Sequence, residues 1–82
     1  MDRNEERLRG MRAAEILRDP LMESAFEALR LSLMSEWENS SPLDAERREQ
    51  IFNEIKALNA VRDHLVSHIE TGKMAAIELG YN

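Results

Sequence analysis

The sequence predicts an all-α fold: an antiparallel helical hairpin with an additional N-terminal helix, completed into a bundle by self-association. Three observations lead there. Apolar residues recur every three or four positions, and nowhere do they alternate with the period of two that marks a strand. Both prolines follow residues that favour helix N-caps, Asp19 and Ser41. The chain has 82 residues and no cysteine, so one thin core must hold it without disulfides or thiolate-bound metal. Small chains of this kind often gain stability by associating.

The elements follow in order within a single domain, 1–82. Residues 3–18 form an N-terminal helix, weakened by Gly10 in its interior. Asp19-Pro20 starts the first hairpin helix, 20–38, with Asp as N-cap and Pro at the first helical position, where its missing N–H costs nothing. Asn39-Ser40 is the turn. Ser41-Pro42-Leu43-Asp44 repeats the capping device and opens a second hairpin helix over 42–71, which Gly72 ends as the residue just past the helix. Residues 73–82 are a short tail with a turn or two of helix.

On a wheel of about 100° per residue, Leu21, Met22, Ala25, Phe26, Leu29, Leu33 and Trp37 share one face of the first hairpin helix. Ile51, Phe52, Ile55, Leu58, Val61, Leu65, Val66 and Ile69 share one face of the second. Their four-and-three spacing suits antiparallel packing at about 20°. Two charges interrupt these stripes. Glu36 falls beside Arg47 or Arg48 near the turn, and Arg62 falls near Asp19 and Glu23. Glu36–Arg48 and Asp19–Arg62 are therefore the structural ion-pair candidates, because an unpaired charge in such a seam is costly. The other reading holds these charges for a partner.

Leu31 lies opposite the main stripe and Met34 well off it. A two-helix hairpin leaves both uncovered. Either the N-terminal helix folds back over them with Leu8, Met11, Ile16 and Leu17, or a second chain does. Leu31, Met34, Trp37, Glu23 and Glu27 are the interface candidates. Trp37 serves equally as a plug closing the hairpin end or as a partner anchor, a role in which tryptophan is enriched.

Charge and motifs narrow the function further. The net charge is −5, which disfavours non-specific binding to nucleic acid or anionic lipid. The acidity is concentrated on the first hairpin helix, where Glu23, Glu27, Glu36 and Glu38 face only Arg30. Arg3, Arg7, Arg9, Arg12 and Arg18 are interleaved with Asp2, Glu5, Glu6 and Glu15. They read as a salt-laced solvated helix, or in the alternative as phosphate contacts. His64 and His68 share one side of a helix as half of a zinc site that lacks its other ligands; two solvated histidines is the simpler reading. No nucleophile–base–acid set converges, and no glycine-rich phosphate loop is present. The expectation is a non-enzyme with no catalytic residue, no metal and no cofactor. The charged N-terminus is unlike a secretory signal and no apolar run spans a membrane, so a cytoplasmic location is expected.

The stretch "RGMRAAEILRDPLMESAFEALRLSLMSEW", followed by "RREQIFNEIKALNAVRDHL" and "TGKMAAIEL", resembles small helical proteins encoded by tailed bacteriophages. The matching features are Arg9-Gly10, Arg12-Ala13, Asp19-Pro20-Leu21, Trp37, Arg48-Glu49 and Gly72-Lys73 with Ala75. The resemblance covers most of the chain and transfers no catalytic residue. It implies an accessory or virion-associated role, in the host cytoplasm or the virion. The expected function is thus protein interaction and assembly as a homo-oligomer or with another protein. The alternatives are a packaging or regulatory factor that uses the N-terminal arginines on nucleic acid, and a small acidic inhibitor of a host protein.

Overall fold

The computed structural model describes residues 2–81 and is all-helical there: α1 at Arg3–Arg18, α2 at Pro20–Asn39 and α3 at Ala45–Glu78. A carboxylate caps each start. Asp2 accepts from the Glu5 N–H, Asp19 from the Leu21 and Met22 N–H groups, and Asp44 from the Arg47 N–H. The last of these corrects the expected start of the third helix at Pro42. The Ser41 hydroxyl accepts from the Leu43 N–H two residues on, a local turn, and the helix begins only after Asp44. Serine and aspartate both cap well, and here the acid three residues later does so.

The expected end at Gly72 is corrected as well. Gly72 lies inside α3 and is buried. The terminator is Gly80, which takes the left-handed conformation at φ 87°. The Gly80 N–H donates to the Ile77 carbonyl and the Tyr81 N–H to the Ala76 carbonyl. These two bonds make a Schellman motif, which satisfies the last free carbonyls of the helix.

Asp19 alone joins α1 to α2. A residue before proline is driven out of the helical region, and Asp19 is extended at φ −63°, ψ 122°. Its N–H closes α1 on the Glu15 and Ile16 carbonyls while its carboxylate opens α2. The two helices meet only around this junction and follow one another along α3. Both run antiparallel to it. Arg3 pairs with Glu78 near one end, Gly10 abuts Gly72, Leu17 and Phe26 share a recess with Leu58, and Trp37 lies under Arg48 near the other end. Of the two covers open to Leu31 and Met34, the N-terminal helix is therefore not the one: α1 extends the line of α2 instead of covering it, and both stay exposed.

The result is long and thin, 56 × 23 × 16 Å. Its radius of gyration is 17.3 Å, against about 12 Å for a compact domain of this length. The core is correspondingly small. Gly10 of α1 is buried against Gly72 of α3, Ala13 of α1 and Ala75 of α3 are buried as well, and Ile51 is fully buried nearer the turn. Small residues let the α1 and α3 backbones come close, which leaves the larger Leu8 and Met11 exposed on the flanks. On α2 only Phe26 and Leu33 of the apolar stripe are half-buried; Leu21, Met22, Ala25, Leu29 and Trp37 are exposed. On α3, Ile55, Leu58, Leu65, Val66 and Ile69 are half-buried, while Phe52 and Val61 are exposed.

Candidate interaction surface

The surface of interest is formed by α2 and the first half of α3. No residue of α2 is buried. Leu31 is 53% exposed, Met34 40% and Trp37 38%. Met34, Trp37, Ile55 and Phe52 line an apolar recess of about 240 Å³, with Glu38 at its rim. Phe52 is 51% exposed. The sequence reading put Phe52 in the internal seam, yet Ile51 precedes it, and two successive helical residues differ by about 100°. Only one of them points fully into the core, and Ile51 takes that place, while Phe52 stays half exposed beside Met34 and Trp37. That adjacency was the available signal for Phe52 as a surface residue.

Trp37 is held from one side. The Arg48 guanidinium lies over its ring at 4.0 Å from the centroid. The Arg48 Nε is buried and has no hydrogen-bond partner, so the ring face is its main neighbour. Arg7 repeats the arrangement at the far end of the molecule, 4.3 Å over Tyr81 and again with an unpartnered buried Nε. Two arginine–aromatic clasps thus tie α3 to its neighbours, one at each end.

The charges settle partly as expected: Glu36 is held by one of the two arginines near the turn. Glu36 pairs with Arg47, not with Arg48, which is committed to Trp37. The two arginines are adjacent in sequence, and the helix turns one towards the carboxylate and the other onto the ring. The Glu36 bond, together with the nearby Glu54 carboxylate, raises the Arg47 pKa above its ordinary value. The Asp19–Arg62 pair does not form, because Asp19 spends its carboxylate on the α2 cap. Arg62 instead lines an open recess of about 450 Å³ with Leu17, Phe26, Leu58 and the acidic Glu23 and Glu27. Glu27 is bound on its own helix by Arg30, at 3.1 Å. Glu23 and Glu38 on α2, and Lys56 and Arg62 on α3, have no ion-pair partner among the described residues.

Of the five N-terminal arginines, Arg3, Arg7 and Arg12 are engaged by neighbours on the molecule, while Arg9 and Arg18 have no side-chain partner among the described residues. Arg3 bonds Glu6 and pairs with Glu78, which raises its pKa above the ordinary value. Arg7 donates to Asn4 and Arg12 pairs with Glu15. His64 and His68 meet edge to face with ring centroids 4.8 Å apart. Among the described residues, no group of three or more His, Cys, Asp or Glu is placed to hold a metal ion, and no helix is long and apolar enough to cross a membrane. No protein-family model, curated protein or solved structure matches the chain.

Proposed function

We propose that the chain is a non-enzymatic interaction and assembly protein that works through the open face of α2 and the first half of α3. One observation carries the reading. A helix of twenty residues bearing Leu21, Met22, Phe26, Leu29, Leu31, Leu33, Met34 and Trp37 buries none of them. Exposed apolar surface on this scale marks interaction sites on water-soluble proteins. The anchors are of the type that dominates interface energy: a tryptophan set against an arginine, with flexible methionine beside it. The recesses are shallow and open along the molecule's length, and they suit side chains of a partner better than an enclosed substrate. The resemblance to small phage proteins makes an accessory or virion-associated component the accompanying biological reading.

The experiment is the thermal melt of Leu31→Glu beside wild type, by circular dichroism at high dilution. If Leu31 serves a partner, the dilute chain loses nothing when it becomes polar, and the two curves coincide. A collapse of helicity or a large fall in melting temperature in the variant would show that Leu31 belongs to the chain's own core. The reading would then fail.

A further inference from the structure

We infer that the partner on this face is a second copy of the chain, related by a two-fold axis, with α2 of each copy seated along the groove between α2 and α3 of the other. The inference rests on the interaction reading above and adds the identity of the partner and its orientation.

Surface area is the first argument. The chain exposes 6251 Å². A compact monomer of the same 9.5 kDa mass would expose about 5,000 Å². The excess, roughly 1,200 Å² per chain, exceeds the roughly 800 Å² that each partner contributes to a standard stable interface. Two copies that bury it would share about 2,400 Å², within the range of obligate homodimers. A second copy therefore brings this chain to the exposure normal for its mass.

Shape and charge set the orientation. The recess of Met34, Trp37, Ile55 and Phe52 opens on the same helix that carries the exposed Leu31, three residues before Met34. In an isologous pair every contact occurs twice. Leu31 of each copy can then enter the recess of the other as a knob into a hole. α2 holds Glu23, Glu27, Glu36 and Glu38 against Arg30, so two α2 helices facing one another directly would repel. From Arg47 to Arg62, α3 holds Arg47, Arg48, Lys56 and Arg62 against Glu49 and Glu54. A groove position that turns α2 towards the partner's α3 opposes unlike charge, and brings Glu38 of one copy towards Lys56 of the other. Both are without ion-pair partners among the described residues of the single chain.

The test is the solution mass by light scattering over a concentration series, for wild type, Leu31→Glu, Glu38→Lys, Lys56→Glu and the Glu38→Lys/Lys56→Glu pair, each checked for helicity. Wild type is expected at twice the 9.5 kDa chain mass, and Leu31→Glu as a helical monomer. Each single charge reversal should weaken the dimer about tenfold, since the symmetry repeats the pair, and the double reversal should restore it. Wild type that stays monomeric at hundreds of micromolar overturns the second copy as partner. The interaction reading would survive that result and falls only if the dilute Leu31→Glu chain melts early. A dimer indifferent to Leu31→Glu and to both reversals overturns the proposed orientation, and a mass above the dimer overturns the closed two-fold pair.

Discussion

Gly10 and Gly72 stand backbone to backbone where α1 crosses α3. A Cβ built on Gly10 would lie 2.9 Å from the Gly72 Cα and 2.7 Å from the His68 carbonyl oxygen. Neither neighbour is a side chain that can swing aside, so Gly10→Ala must push the helices apart. The expected cost of such overpacking is about 1–3 kcal/mol, only partly offset by the roughly 1 kcal/mol that alanine gains over glycine as a helix former. Urea unfolding of Gly10→Ala measures the balance. A variant as stable as wild type, or more so, would mean that α1 does not cross α3 at this point.

That crossing also shows where the sequence was readable and where it was not. Asp19-Pro20 announced its break because the signal is local: a cap, then a ring that fixes φ and lacks an N–H. Gly72 gave the wrong message for the same reason. A glycine after a long apolar run reads as a helix end, and only Gly10, far away in sequence, explains it as a point of close approach. Gly80 stood a few residues further on with the same local signature. Nothing in the sequence ranked one above the other, since the difference lies in which position has another backbone against it. The open face of α2 was legible from Leu31 and Met34, which no two-helix arrangement could cover. Its recess was not, because Phe52 was counted with Ile51.

Among the described residues, Ile51 is the one large side chain that is fully buried. In a molecule with so small a core it should matter more than its size suggests. Ile51→Ala is expected to cost about 2–5 kcal/mol, a large share of the 5–15 kcal/mol that typically separates folded from unfolded domains. Chemical denaturation should show it. Phe52→Ala, one residue on, should leave the dilute chain close to wild type in stability, because Phe52 faces outward.

Arg48 acts on Trp37 as a planar cation rather than as a charge alone. Lysine keeps the charge and loses the plane. Arg48→Lys should therefore loosen the clasp, at about 0.5–1 kcal/mol. Trp37 is the only tryptophan, so its fluorescence reports on this contact directly. A red shift of its emission in the dilute variant is expected as water reaches the ring. An unchanged spectrum would mean that the guanidinium does not cover the indole.

Glu36 and Arg47 form an ion pair whose side chains are 44% and 39% exposed. Exposed pairs gain little, because water screens them and their long side chains lose freedom. Glu36→Gln should leave the melting midpoint essentially unchanged at moderate salt, despite the bond visible in the structure. Arg47 keeps Glu54 and Gln50 as neighbours in that variant. A clear loss of stability would assign the pair a role in setting the α2–α3 register.

Met34 offers a chemical readout of whatever covers the α2 face. Thioether oxidation by peroxide follows access of the oxidant to sulfur. Met34 lies in the apolar recess, whereas Met74 is on the outside of α3 near its far end and is 62% exposed. In the single chain the two differ modestly in exposure, so at high dilution their oxidation rates should be similar. At concentrations where a second copy docks, Met34 should slow several-fold while Met74 keeps its rate, because only the first lies beneath the proposed contact. Mass spectrometry of peptides from the treated protein follows both sites in one sample, and Met74 corrects for changes in peroxide. Leu31→Glu should abolish the difference at every concentration by removing the knob that fills the recess. Equal slowing of both methionines would point to a cover that extends along the whole molecule, and equal, unslowed rates at all concentrations would show the α2 face to be bare.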